Sequence, residues 1–175
     1  MNRRRCFCWL LVLSGFTYSG VLGWAQTRGE VFEDPEGKYS LVLPPGWQAI
    51  TSRDGLGRTQ VDIVYRVRED GALKIRRVAV EPGTKVLDHA RRDEEQSLRF
   101  QPGYSKGSIE NFGTGVSAAL VSYDFTTAGR PMVGRNYYLQ VDDRTVYVLR
   151  FTGNRNTLGP LRNQTDAMAR SFKAR

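Results

Sequence analysis

Residues able to do chemistry are few in this sequence, and their spacing brings no two of them into an obvious site. His89 is the single histidine of 175 residues. A general base or a metal ligand needs partners, and on a helical wheel His89 falls beside an apolar stripe on its charged side, the position of a surface histidine. The two cysteines, Cys6 and Cys8, both precede residue 26, so the chain beyond has no thiol for a disulfide, a thiolate zinc site or a nucleophile. No Gly-x-Ser-x-Gly elbow is present, and no Ser, His and Asp spacing suggests a triad. Gly113-Thr114-Gly115 lacks the further glycine, the lysine and the following helix of a phosphate loop, and reads as a turn between strands.

Carboxylates cluster at Asp142-Asp143, which suits a hairpin turn, and at Asp93-Glu94-Glu95, which suits a solvated helix face. Either could hold a hard cation weakly, but neither fixes the roughly six to eight oxygens of a good calcium site. Asn163-Gln164-Thr165 matches a glycosylation sequon placed inside a helix. The expectation is therefore no catalytic residue, no cofactor and no metal site.

The one stretch with the look of a binding surface is a late hairpin over 132–152. Tyr137, Leu139 and Val141 oppose Tyr138 and Gln140 by parity, and Tyr147, Leu149 and Phe151 oppose Val146, Val148 and Arg150. Both faces carry apolar side chains. If helices cover both sides, the hairpin is a two-sided core. If one side is open, Tyr138, Val146, Val148 and Arg150 form an aromatic and basic patch of the kind that binds proteins.

The elements that must position this hairpin follow from periodicity. Residues 26–38 are a polar, turn-rich N-terminal segment. Tyr39-Ser40-Leu41-Val42-Leu43 alternates as a strand and stops at Pro44-Pro45-Gly46, with Trp47 as an anchor at its exit. A glycine-bearing loop over 53–59 leads to two strands joined by Arg68-Glu69-Asp70-Gly71. In the second, Leu73 and Ile75 have opposite parity to Val78 and Val80, which predicts a bulge near Arg76-Arg77. Residues 85–100 read as a helix with Val86, Leu87, Ala90 and Leu98 inward and Arg91 to Glu95 solvated. Strands at 108–112 and 116–126 precede the hairpin. Leu158, Leu161, Thr165, Met168, Ala169 and Phe172 share one stripe of a closing helix over 157–172. Strands mostly in hairpins with two helices make an α+β domain, a mostly antiparallel sheet covered by helices.

Composition fits one domain: 40% hydrophobic, 25% charged and 11% aromatic residues. Residues 1–25 read as a signal peptide. Arg3, Arg4 and Arg5 form a basic start, 6–22 an apolar core, and Gly23-Trp24-Ala25 a small-residue exit with Gln26 as the new N-terminus. The alternative is an uncleaved anchor, because the apolar stretch approaches bilayer-spanning length. The formal charge of +8 falls to +5 once those three arginines are removed. The rest is spread along the chain rather than gathered on one face, which argues against a nucleic-acid partner.

Three pieces in order carry a family resemblance: Tyr39-Ser40-Leu41-Val42-Leu43-Pro44-Pro45-Gly46-Trp47, the aromatic hairpin ending near Phe151, and the closing Ala169-Arg170-Ser171-Phe172. Together they resemble the PsbP-like family over most of 30–173, with 39–173 as the globular domain. That fold is shared with a Ran-binding nuclear-import factor and bacterial families of unknown function. The resemblance implies an αβα sandwich, an extracytoplasmic location, and a role in assembling or completing membrane complexes rather than catalysis. The expected function is an exported, non-catalytic binding or assembly module with an extracytoplasmic protein or membrane-complex partner, touching the membrane only through its leader or weak electrostatics. The alternative is a small-ligand or metal binder with a pocket gathering several of Asp54, Asp62, Arg76, Tyr123 and Asp124. Attachment to anionic lipid, resting on charge alone, comes last.

Overall fold

Alternation of apolar side chains over ten residues or more commits two strands to a sheet buried on both faces. These are β8 (Arg130–Asp142) and β9 (Thr145–Asn154), whose hairpin closes where Asp142 accepts the Arg144 backbone N–H at 2.8 Å. The computed structural model describes residues 29–57 and 59–175. The expected signal peptide lies outside them, as does the start of the 26–38 segment.

Among the described residues, ten strands and three α-helices follow in chain order. The first are β1 (Glu30–Glu33), β2 (Tyr39–Leu43), β3 (Trp47–Arg53), β4 (Thr59–Tyr65) and β5 (Ala72–Ala79). Next come α1 (Val86–Gln96) with a 3₁₀ turn at Leu98–Phe100, then β6 (Ser105–Asn111), β7 (Ser117–Thr127) and the β8–β9 hairpin. The chain ends with α2 (Arg155–Leu158), α3 (Arg162–Ser171) and β10 (Lys173–Ala174). A seven-stranded sheet runs β3-β4-β5-β9-β8-β7-β6, antiparallel throughout, and a three-stranded sheet runs β1-β2-β10. The chain is α+β, as its sequence predicts.

Each face of the large sheet has its own core. On one, Tyr137, Leu139, Leu149 and Phe151 pack with Leu158, Met168 and Ala169 of the closing helices and with Leu41 and Leu43 of the small sheet. On the other, Val121, Tyr138, Val146 and Val148 pack beneath Val86 and Ala90 of α1 and beneath Leu98. This doubling explains the parity change in β5. Its register with β9 runs unbroken from Ala72↔Thr152 to Ala79↔Thr145, so there is no bulge at Arg76-Arg77. Leu73 and Ile75 serve one core, Val78 the other.

Other expectations are corrected for equally local reasons. β1 forms inside the polar N-terminal segment because Phe32 packs against the first core while Val31 stays exposed. β3 has little alternation of its own and is held by its ladder to β4 and by Trp47, whose indole Nε1 donates to Gln164 at 2.9 Å. The closing helix is broken by Gly159-Pro160, since proline opens a helix but cannot continue one.

Candidate binding site on the open half of the sheet

The patch expected on the hairpin divides between core and surface. Tyr138, Val146 and Val148 are 0, 1 and 2% exposed under α1, and only Arg150 reaches solvent. These three apolar residues are therefore one side of a two-sided core, because α1 lies across β6, β7 and β8. Its reach across β5 ends at Val78 and at the Asp93–Arg76 contact, and Lys74, Gln48 and Ile50 beyond are exposed, so the same sheet face is open over that half.

Cross-strand register places the open surface residue by residue. Lys74 stands directly opposite Arg150, and Arg76 opposite Val148. Further out, the buried Ala72 and Val64 pair with each other, Val64 with the exposed Gln48, and Asp62 with Ile50. Lys74 and Arg76 are exposed, Arg150 is half-buried, and Ile50 is 51% exposed. Beside this row lies a shallow groove of about 370 Å³. Its floor is Ala72, Phe125, Met132 and Thr152, and its rim is Arg68, Lys74, Arg150, Glu69 and Gln101.

The electrostatics of the row are organised by Asp93 of α1. Its side chain, 11% exposed, accepts the Tyr138 hydroxyl at 2.5 Å and lies 3.7 Å from the Arg150 guanidinium and 4.0 Å from that of Arg76. Burial and the adjacent carboxylate push the Tyr138 phenol far up, so it remains a donor at any physiological pH. Arg68 is taken by Asp62 at 2.7 Å. Among the described residues Lys74 has no ion-pair partner. One carboxylate is thus shared by two arginines while a lysine beside them has none. Like charges placed directly across a ladder destabilise it, so the Lys74–Arg150 juxtaposition costs the fold something and suits an incoming anion.

The acidic run on α1 is far less solvated than its sequence suggests. Glu94 is 5% exposed, accepting from the Tyr104 hydroxyl at 2.7 Å and pairing with Lys106 at 3.4 Å. Glu95 alone of the three is exposed. His89, read as a surface residue, is half-buried edge-on to the Tyr138 ring at 5.8 Å, with Nε2 buried and unpartnered. Burial lowers its pKa, with Asp93 opposing and Arg92 and Arg76 assisting.

The residues of the small-ligand alternative are not gathered. Asp62 and Arg76 lie on the open half-face; Asp54 is in the β3–β4 turn, accepting the Leu56 N–H at 2.9 Å. Asp124 and the buried Tyr123 line a different cleft of about 280 Å³ with Ser108, Glu110, Arg135 and Arg162. Arg135 there is already committed. It donates to Asp166 at 2.7 Å, the Tyr137 hydroxyl at 3.0 Å and Thr165 at 3.2 Å, tying α3 to β8. Thr165 of the sequon is fully buried in this network. Among the described residues no group of three metal-ligating side chains occurs, and no helix is long and apolar enough to cross a membrane.

No family model matches the chain, and no curated protein matches it in sequence. Solved structures do. Cyanobacterial PsbP from Synechocystis is similar over 93% of this chain and 99% of its own, with 11% identity and a TM-score of 0.57. The Ran-binding protein Mog1p of Saccharomyces cerevisiae is similar over 84% and 95%, with 11% identity and a TM-score of 0.58. LpqN, involved in cell envelope biogenesis of Mycobacterium tuberculosis, is similar over 83% and 90%, with 15% identity and a TM-score of 0.53. The chain has the PsbP-like fold that its sequence resembles, shared with Mog1p.

Proposed function

We propose that this PsbP-fold domain is an exported, non-catalytic binding module that docks an acidic segment of an extracytoplasmic protein on the open half of its α1-side sheet. The observation that carries the reading is Lys74 set directly opposite Arg150 beside an apolar-floored groove. A fold tolerates such a pair at a cost, and a partner carboxylate relieves it while apolar side chains of the same segment fill the groove. Export rests on residues 1–25, and the binding role is in keeping with a Ran-binding protein among the fold's members.

The test is affinity capture from the protein's own cell envelope with the full chain carrying a C-terminal tag, at moderate salt. The expected result is one stoichiometric partner that crosslinks to residues around Lys74 and is lost from Lys74→Glu and Arg150→Glu. Capture that both variants leave intact would overturn the assignment of this surface. Recovery of the bare protein would overturn a stable partner.

A further inference from the structure

We propose that the free edge of β3 pairs with the β3 of a second copy of this chain, joining two seven-stranded sheets across a two-fold axis. The outward-facing groups can be identified from the ladder. Tyr65 turns its N–H away from β3 and donates to Gly71 O at 2.8 Å, so the pair Trp47↔Tyr65 is not hydrogen-bonded. Antiparallel pairs alternate. Gln48, Ile50 and Ser52 therefore bond to β4, while Ala49, Thr51 and Arg53 point their N–H and C=O groups out of the sheet.

The edge has the features of a pairing template. Its seven residues stay in register with β4 without a bulge or proline, and its only charge is Arg53 at the end. The opposite edge, β6, is interrupted by a register shift between Lys106 and Ile109, a device that blunts strand addition. In β3 the exposed apolar residue is the central one, Ile50.

That central position argues for a second copy. Around Ile50 the strand reads alike from both ends: small Ala49 and Thr51, then polar Gln48 and Ser52. Setting Ile50 against the partner's Ile50 places Ala49 opposite the partner's Thr51, both with outward groups, and the pair exchanges two hydrogen bonds. The Trp47 carbonyl receives the partner's Arg53 N–H, while Trp47's own N–H is held by Pro44 O at 3.1 Å. The whole makes about six backbone bonds. The two Ile50 side chains meet at the axis as a non-hydrogen-bonded pair, where side chains approach most closely, and no like charges face each other. A two-fold normal to the sheet puts both α1 helices on one side. If the binding reading above holds, the two open half-faces become one floor between them. The pairing itself does not depend on that reading.

The test is sedimentation velocity on the full chain, purified after export, from low to high micromolar concentration, since an interface of this size is weak. The expected result is a concentration-dependent dimer. Thr51→Pro deletes an outward donor from each copy while sparing the β4 ladder, and weakens dimerisation by about thirtyfold or more. Ile50→Lys sets two ammonium groups at the axis and weakens it too; its N–H stays in the β4 ladder, so it decides the matter if Thr51→Pro fails to fold. Lys74→Glu leaves the dimer unchanged, which separates this inference from the binding site. A monomer at every concentration, or a dimer indifferent to both β3 variants, overturns the proposal.

Discussion

Replacing Asp93 by asparagine tests whether this carboxylate is a structural keystone between α1 and the sheet or a solvated helix charge. In the structure it accepts the fully buried Tyr138 hydroxyl at 2.5 Å and sits beside Arg150 at 3.7 Å. A buried hydrogen bond to a charged acceptor contributes about 1.5–3 kcal/mol. Tyr138 keeps a weaker contact with Asn136 Nδ2 at 3.4 Å, and the amide oxygen introduced by the substitution could still accept, so the lower end applies to this component. The ion pairs add little, because Arg150 and Arg76 are 31 and 61% exposed and solvent screens them, roughly 0.5–1 kcal/mol together. The expected loss is about 2–2.5 kcal/mol, equivalent to roughly 6–10 °C in Tm for a domain of this size. Urea unfolding followed by tryptophan fluorescence measures it. Tyr138→Phe and the double variant close a cycle whose coupling should be about 1 kcal/mol or more. Glu95→Gln, on the exposed side of the same helix, should change stability by less than about 0.5 kcal/mol. If Asp93→Asn and Glu95→Gln are indistinguishable, or the cycle shows no coupling, the packing argument for α1 is refuted.

Asp166→Ala strands the Arg135 guanidinium, 13% exposed, against Tyr137 and Thr165; losing one partner of a buried pair costs about 3–5 kcal/mol. Removing both charges with Arg135→Met and Asp166→Ala should restore much of that loss, which urea titration of the three variants would show. His89 gives a pH dependence of definite sign. Its folded pKa lies below the ordinary 6.5, chiefly through burial, so the unfolded chain binds its proton more readily. Stability should therefore fall as pH drops through about 6.5 toward the folded pKa. His89→Gln should flatten that part of the Tm–pH curve, and an unchanged slope would locate the dependence elsewhere.

Periodicity alone determined much of this protein. The β8–β9 hairpin, β2 with its Pro-Pro-Gly exit and the apolar stripe of the closing helix are readable because a strand of period two or a helix of period 3.6 needs only its own residues to declare itself. Elements held by neighbours are not readable this way. β1 exists because Phe32 meets a core built from distant residues, and β3 because β4 and Gln164 hold it. The expected bulge in β5 arose from assuming one buried face where there are two.

The site follows the same division. Arg150 was legible as a basic residue of the late hairpin, but its companions were not. Tyr138, Val146 and Val148 went under α1, and Lys74 and Arg76 came beside Arg150 from a strand more than seventy residues earlier. Asp93 looked like any solvated helix carboxylate until the helix was set down over Tyr138. Hydrophobic pattern fixes which side of a strand points which way. How far a helix reaches across the sheet, and so which of those side chains meets water, depends on where distant elements pack, and only the tertiary structure decides it.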